Sequence, residues 1–275
     1  MSNCKVIALT NQKGGVGKTT TAVNLGVSLV QQGKKVLLID ADAQANLTMA
    51  LGYNRPDDIP ITLSTVMQNI IDDKTLDVSQ DIIHHREGID LLPSNIELSG
   101  FEVRLINAMS RERVLKTYVN EVKKNYDYVL IDCMPSLGMI TINALAAADS
   151  VIIPTQPHYL SAKGLELLLR SVSMVKRQIN PKLRIDGILM TMVMPRTNIS
   201  KEITATVKSA YGKKIKVFDT EIPHSIRAVE ATAEGKSIFA YDKSGKVAAA
   251  YEQLGKEVAE IGEKQRNQNR ADRIR

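Results

Sequence analysis

The feature that most constrains the fold is a glycine-rich loop between an apolar segment and a segment with helical periodicity. The loop reads Lys-Gly-Gly-Val-Gly-Lys-Thr-Thr over residues 13–20, and residues 6–10 before it are predicted to form a strand. Glycines in the loop permit positive φ angles and allow backbone N–H groups to face an anion. The N-terminus of the following helix adds the positive end of its dipole. A strand, a loop and a helix in this order predict a phosphate-binding loop.

The side chains of the loop indicate which ligand it binds. Lys18 is expected to contact the β- and γ-phosphates of a nucleotide, and Thr19 is expected to place its hydroxyl on Mg²⁺. The sequence contains no Asn-Lys-x-Asp guanine signature, which favours adenine. We therefore expect ATP with Mg²⁺ as the ligand and ATP hydrolysis as the activity. The loop residues expected to hold the nucleotide are Gly14, Gly15, Val16, Gly17, Lys18, Thr19 and Thr20.

Apolar, β-branched runs alternate with helical patterns along the chain. The predicted strands are residues 6–10, 36–39, 89–92, 128–131, 151–153, 185–192 and 215–218, and the predicted helices include 19–32, 111–124, 161–179 and 247–261. Such alternation indicates βαβ units and a mostly parallel sheet. We predict a single three-layer α/β domain over residues 1–262, with helices on both faces of a twisted sheet. A polar, basic tail with a frayed end is expected over residues 263–275.

Acidic residues follow two of the predicted strands. Asp132 closes the strand at 128–131, the position at which a P-loop enzyme places the aspartate that orders the Mg²⁺ shell. Asp40 and Asp42 follow the strand at 36–39, and their side chains point to the same side if the backbone stays extended. An aspartate at a strand end can also cap the next helix, so position alone leaves this role open for each of them.

Composition and charge exclude some classes and favour others. Two cysteines, Cys4 and Cys133, fit no disulfide framework, and the four histidines show no zinc-ligand spacing with them. There is no signal peptide and no apolar run of about 18 residues, so a cytoplasmic location is expected. Residues 151–275 carry 22 Lys and Arg against 13 Asp and Glu. This favours a polyanionic partner, nucleic acid first and an anionic membrane second, although a solvated surface explains the charge equally well.

One departure from the usual loop pattern points to a family. The usual pattern is G-x-x-x-x-G-K-[ST], but Gln12 stands at the first glycine position and Lys13 precedes the glycines. This form resembles the deviant phosphate loop of the MinD/ParA-type ATPases of the SIMIBI class. Five further segments resemble motifs of ParA/Soj-type partition ATPases in order and spacing, namely residues 36–48, 126–138, 153–168, 191–200 and 220–230. The resemblance covers almost the whole chain.

The resemblance implies roles for individual residues. Lys13 would reach across a two-fold interface to the phosphates of a partner molecule, Lys18 would act on its own nucleotide, and Asp42 would orient the attacking water. Thr19, Asp40 and Asp132 would form the metal region. The adenine would be surrounded by Asn143, Met192, Pro195 and Arg196. Non-specific DNA binding would involve Arg196, Arg227, Lys243 and Lys246.

The same resemblance implies an activity and partners. An ATP-dependent homodimer would bind nucleoid DNA, and a ParB-like centromere-binding protein would stimulate a slow intrinsic hydrolysis. The alternative is a MinD-like membrane-cycling ATPase, which needs a C-terminal amphipathic helix with a bulky apolar face. After residue 261 only Ala271 and Ile274 are apolar, so no stable membrane association is expected. An iron–sulfur reductase is disfavoured because Cys4 and Cys133 are not placed as paired cluster ligands.

Overall fold

The computed structural model describes residues 4–75, 77–78 and 80–274, and the apolar runs of the sequence form the strands of one sheet. The strands are β1 (Lys5–Leu9), β2 (Val36–Ala41), β3 (Ile83–His84), β4 (Asp90–Leu92), β5 (Tyr128–Cys133), β6 (Ser150–Thr155) and β7 (Arg184–Met190). Their order in the sheet is β3-β4-β2-β5-β1-β6-β7. Every neighbouring pair is parallel except β3 and β4. The prediction of a mostly parallel α/β fold is confirmed.

Helices follow the strands and cover the sheet. They are α1 (Lys18–Gln31), α2 (Asn46–Ala50), α3 (Leu63–Ile71), α4 (Glu97–Leu105), α5 (Val114–Val122), α6 (Met139–Ala147), α7 (Tyr159–Gln178), α8 (Asn198–Tyr211), α9 (Ile226–Ala233), α10 (Ile238–Tyr241) and α11 (Lys246–Ile274). A short 3-10 turn lies at Pro56–Asp58. No helix of the described part of the chain is both long and apolar enough to cross a lipid bilayer.

Two hydrophobic cores lie on opposite faces of the sheet, because successive strand residues point in opposite directions. In β1, Val6 and Ala8 belong to the core packed by α3 to α8, whereas Ile7 and Leu9 belong to the core packed by α1, α2 and α9 to α11. The central strands are buried on both faces, which explains why their sequences are continuously apolar.

One predicted strand and the predicted end of the last helix are wrong. Residues 215–218 do not form a strand of the sheet: they make an isolated bridge through Val217 to Ile188, and the Phe218 ring packs over Gly187. The last helix does not end near residue 261, since α11 continues to Ile274 and Gln265 donates a hydrogen bond to Asp186 at 2.9 Å. Its later residues are polar but include strong helix formers, so the lack of an apolar stripe does not end the helix. Residues 1–3 of the predicted domain and residue 275 of the predicted tail lie outside the described residues.

The topology brings chemically active residues to one edge of the sheet. Parallel strands β1, β2 and β5 are neighbours, so the segments that follow their carboxyl ends meet at that edge. Ligands of open α/β sheets bind outside the carboxyl ends of the strands, which makes this edge the candidate site.

Candidate nucleotide-binding site

The phosphate loop has the backbone that its glycines predict. Gly15 and Gly17 adopt φ angles of 68° and 81°, in the left-handed region where a side chain is strained. Gly17 is the N-cap residue of α1, and its carbonyl accepts the first helical hydrogen bond from the Thr21 N–H at 2.9 Å. The loop backbone therefore continues directly into the N-terminus of α1, where unpaired N–H groups attract anions.

Side chains that directly follow β6 and β7 form hydrogen bonds with the carbonyl groups of the loop. The Thr191 hydroxyl donates to the Val16 carbonyl at 2.8 Å, and the Gln156 amide donates to the Gly15 carbonyl at 2.8 Å. The Lys13 N–H donates to the Asn11 side chain at 3.0 Å. These bonds turn loop carbonyls toward the protein, so the amide side of the loop can face an anion.

Lys18 and Thr19 lie where α1 meets the sheet. Lys18 is only 7% exposed, and burial lowers its pKa, while Asp132, Cys133 and Asp42 act in the opposite direction. The Thr19 hydroxyl donates to Asp132 Oδ2 at 2.6 Å. Since Asp132 lies next to the last residue of β5 and Thr19 lies in the first turn of α1, this bond joins the phosphate loop to the neighbouring strand.

Two buried carboxylates face each other across β2 and β5, because Asp40 and Asp132 are register partners. Burial raises the pKa of Asp132 to about 8, with a further contribution from Asp40, although the Thr19 hydrogen bond and Lys18 oppose the shift. Burial raises the pKa of Asp40 to about 7, against hydrogen bonds from Thr48 and the Asp42 N–H. Two negative charges at this edge are therefore unfavourable without a cation.

The arrangement fits the Mg²⁺ ion expected from the sequence. Asp132 Oδ1 is buried and has no hydrogen-bond partner among the described residues, so one carboxylate oxygen remains for a ligand. The oxygens of Asp40, by contrast, accept from the Thr48 N–H at 2.9 Å, the Thr48 hydroxyl at 2.7 Å and the Asp42 N–H at 3.2 Å. Within the described ranges, no group of three or more His, Cys, Asp and Glu side chains could hold a metal. Mg²⁺ is usually bound by one or two protein groups together with substrate phosphates and water, and the buried Oδ1 of Asp132 can serve as one such group.

The other two predicted catalytic residues border this edge. Asp42 is 8% exposed, follows β2 and accepts a hydrogen bond from the Gln44 N–H at 3.0 Å. The Lys13 ammonium donates to Gln156 Oε1 at 3.4 Å and is half-buried beside its own loop. Lys13 belongs to the phosphate loop itself, and the charge of Asp42 acts on Lys18 in the same loop. Their catalytic roles stay predictions.

An apolar cavity of about 390 Å³ opens beside the loop. Its lining includes Gly17 and Thr20 from the loop side and Thr191 and Met192 from the end of β7. Met192 has a φ angle of 52°, a left-handed conformation that ends the strand before residue 192 and explains why the predicted strand at 185–192 is too long. An apolar cavity that continues from the phosphate loop is suited to a nucleotide base and ribose.

The structure places only part of the predicted adenine set at this cavity. Met192 lines it, whereas Pro195 and Arg196 are exposed and lie outside its lining. Asn143 is fully buried in α6, where it accepts from the Leu115 N–H at 3.1 Å and donates to the Arg111 and Met139 carbonyls at 2.7 and 2.9 Å. The Asn143 amide therefore connects α5 to α6, and its hydrogen-bonding atoms are already paired there and do not face the cavity.

Sequence reasoning missed most of the cavity wall. The remaining lining residues come from the segment before α9, from α9 and from α11, and are Ile222, Pro223, His224, Ser225, Ala228, Val229, Thr232, Ala233, Val247 and Tyr251. Tyr251 is buried beneath the loop, and its hydroxyl lies 3.3 Å from that of Thr21. The motif resemblance at 220–230 was the available signal, but it gave no indication that this segment folds against the loop.

The predicted DNA-binding residues fall into two places. Arg227 on α9 forms an ion pair with Asp242 at 2.8 Å, and the exposed Lys243 and Lys246 follow Asp242 at the start of α11. Arg196 is exposed in the loop before α8. One of the four cations thus pairs with Asp242, two follow Asp242 in the chain, and the fourth lies on a separate loop.

Comparisons with known proteins agree with this geometry. A family model described as an AAA domain matches residues 4–185. The sporulation initiation inhibitor protein Soj of Bacillus subtilis (strain 168) is 46% identical over 260 residues, covering 94% of this chain and 99% of Soj. The chromosome partitioning protein ParA of Myxococcus xanthus (strain DK1622) is 39% identical over 256 residues, covering 92% of this chain and 87% of that protein. A crystal structure of cobyrinic acid a,c-diamide synthase from Mycobacterium smegmatis with bound ATP analog and magnesium is 35% identical, has a TM-score of 0.80, and covers 92% of this chain and 93% of that one.

Proposed function

The chain belongs to the ParA/MinD family of P-loop ATPases, and on that premise we propose that it is a ParA-type partition ATPase. In this proposal ATP drives formation of a homodimer, and the dimer binds DNA without sequence preference. A ParB-like partner stimulates hydrolysis and returns the chain to monomers, in a cytoplasmic cycle on the nucleoid. The observation that carries the proposal is the deviant phosphate loop at residues 13–20, joined to Asp132 through the Thr19 hydroxyl.

The chain's own residues account for binding and activation of ATP. The loop amides and Lys18 would bind the phosphate oxygens, and burial of Lys18 strengthens this interaction because water screens it less. Thr19 and Asp132 would hold Mg²⁺, which when bound neutralises phosphate charge. Asp42, which directly follows β2, would orient the attacking water and accept its proton. Asp40 would support this region by fixing Thr48 and the Asp42 N–H.

Lys13 gives the site its dependence on a second molecule. In the monomer its ammonium contacts Gln156 at 3.4 Å, and the adjacent Gly14 is exposed. A Cβ added at Gly14 meets no heavy atom of the described residues within 4 Å, so no steric contact in that part of the monomer explains a glycine there. Close approach of a partner molecule would explain it, with Lys13 supplied in trans to the partner's phosphates in the manner of an arginine finger.

The basic group around Asp242 supports the DNA part of the proposal. Arg227, Lys243 and Lys246 lie near α9, whose inner face lines the nucleotide cavity. A nucleotide that contacts this face could change the position of the cations on the other side of the helix. Binding through such cations would be phosphate neutralisation and would weaken steeply with salt.

Lys13→Ala tests whether ATP binding drives dimerisation through Lys13. Molar mass is measured by light scattering with ATP, ADP and no nucleotide, together with ATP affinity and turnover. The proposal predicts a dimer only with ATP in the wild type, and normal ATP affinity without dimer or turnover in Lys13→Ala. The matched control is Lys35→Ala, which removes an exposed lysine at the opposite edge of the sheet. A Lys13→Ala chain that still dimerises and hydrolyses ATP would contradict the proposed role.

A further inference from the structure

Helix α6 begins beside the nucleotide site but does not cap its own N-terminus. Its N-cap residue is Gly138, which has no side chain, and its first turn contains no acidic residue. The first N–H groups of a helix have no partner within the helix and need acceptors from elsewhere. The Ser136 hydroxyl accepts from the Gly138 N–H at 3.4 Å, which leaves the following turn to be capped by another element.

Glu102 on α4 supplies that cap from another helix. Its Oε1 accepts a hydrogen bond from the Ile140 N–H at 3.2 Å, at the second position of α6. A carboxylate at a helix N-terminus also interacts favourably with the helix dipole. The contact joins two segments 38 residues apart.

Gly138 makes this contact possible. Its φ and ψ angles of −66° and −179° are open to any residue, so the backbone does not require glycine. A Cβ at this position, however, would collide with Glu102 Oε1 and lie 3.1 Å from Glu102 Cδ. The glycine therefore provides the space that the Glu102 carboxylate occupies.

The capped helix end belongs to the nucleotide site. Residues 134–138 form the turn between the end of β5, where Asp132 accepts a hydrogen bond from Thr19 at 2.6 Å, and α6. The segment leading into α4 also reaches the site: the Ser94 N–H donates at 3.1 Å to the Thr48 hydroxyl, which donates to Asp40 at 2.7 Å. Thus the segment before α4 contacts the region of Asp40, and α4 itself contacts the start of α6 through Glu102.

We propose that Glu102 is a positioning residue for ATP hydrolysis, which holds the turn at residues 134–138 in place between β5 and α6. The inference rests on the proposed ATPase function and adds to it. Segments of this kind are the ones that γ-phosphate orders in P-loop switch proteins. A turn held by Glu102 at its far end has less freedom to move away from Asp132. Loss of Glu102 should therefore reduce the rate of hydrolysis more than it weakens nucleotide binding.

The test compares four variants with the wild type: Glu102→Ala, Glu102→Gln, Gly138→Ala and the double variant Glu102→Ala/Gly138→Ala. We expect Glu102→Ala to lower kcat by about tenfold with KM for ATP within about twofold, the scale of losing one capping interaction. Glu102→Gln keeps an acceptor oxygen and should restore most of the rate. Glu97→Ala, which removes an exposed carboxylate from the same helix, is the control and should leave kcat unchanged.

The double variant separates the proposal from a general loss of packing. Gly138→Ala should resemble Glu102→Ala, because its methyl group displaces the carboxylate. Once Glu102 is absent that methyl group has space, so the double variant should be no slower than either single one. Additive losses, or an unchanged kcat in Glu102→Ala, would overturn the positioning role. If Gly138→Ala does not fold, the comparison of Glu102→Ala with Glu102→Gln decides alone. A wild-type chain without ATP turnover would instead contradict the proposed function itself.

Discussion

Replacing Glu257 should weaken both the fold and the nucleotide cavity. Glu257 lies on α11 and is 7% exposed. Its carboxylate accepts from the Thr220 N–H at 2.9 Å, the Thr220 hydroxyl and the Asp219 N–H at 3.3 Å, and it pairs with Lys216 at 3.3 Å. The segment that it holds continues directly into Ile222 and the following residues of the cavity wall.

The expected loss of stability follows from the groups that lose their hydrogen-bond acceptor. Glu257→Ala leaves two backbone N–H groups and a hydroxyl without the carboxylate that accepts their hydrogen bonds. We take a loss of about 1.5 kcal/mol of folding stability for each backbone group, or about 3 kcal/mol for the two. A chain of this length unfolds with an entropy of about 0.6 kcal/mol per kelvin, so Tm should fall by about 5 °C. ATP affinity should fall by about threefold to tenfold, because the cavity wall loses its support.

The pH dependence provides a second signature. Burial by itself would raise the pKa of Glu257, but the hydrogen bonds from Thr220 and Asp219 and the contact with Lys216 outweigh it, so the pKa lies below its usual value. Its stabilising contribution is thus present above the unfolded pKa of about 4.3 and is lost as pH falls through the lower folded pKa. The difference in Tm between wild type and Glu257→Gln should therefore shrink as pH falls below about 4.

The assay has two steps for the wild type, Glu257→Ala and Glu257→Gln. Tm is measured by calorimetry without nucleotide, and ATP affinity is then measured by titration. Gln retains one acceptor and should show a smaller loss in both quantities. An unchanged Tm in Glu257→Ala would refute the energetic reasoning. A lowered Tm with unchanged ATP affinity would refute the assignment of the cavity as the base site.

Two other predictions concern the cavity and the buried ion pair at the opposite edge of the sheet. Ala228→Phe should fill part of the cavity and weaken ATP binding by at least about tenfold. Ile226→Phe, on the exposed face of the same helix, should leave ATP affinity unchanged. Equal affinities of the two variants in isothermal titration would contradict the assignment of the cavity as the base site. Lys5→Met should lower Tm by about 5 to 9 °C, because it leaves Asp186, 2.6 Å away, buried without its cation. Lys5→Met/Asp186→Leu should recover at least half of that loss, and a double variant less stable than Lys5→Met would contradict this account.

How much could be predicted from the sequence depends on how the residues of a site are distributed. The phosphate loop is contiguous, and its glycines, lysine and threonines imply their conformation and roles directly. Asp132 and Asp40 could be placed beside it because the carboxyl ends of parallel strands meet at one edge. Apolar runs sufficed for six of the seven strands and helical patterns for α1, α5, α7 and α11, because each of these signals is local.

The features that sequence reasoning missed depend on contacts between distant segments. The cavity is assembled from Met192, the segment before α9, α9 itself and Tyr251, and no spacing within any one of them indicates the others. Asn143 has a side chain suited to a base, but its amide is used between two helices. The close approach of Glu102 to Gly138 could not be predicted from the sequence. No local pattern indicates it, and the backbone angles at Gly138 are open to any residue.

The central claim is that ATP switches the chain into a form that binds DNA. The most direct test is binding to random-sequence duplex DNA with ATP, ADP and no nucleotide, at two salt concentrations, for the wild type and for Arg196→Ala/Arg227→Ala. The account predicts tight binding only with ATP, weakening steeply with salt and lost in the double variant. Absence of DNA binding in every nucleotide state would contradict the partition function, while equal binding in all three states would contradict the switch.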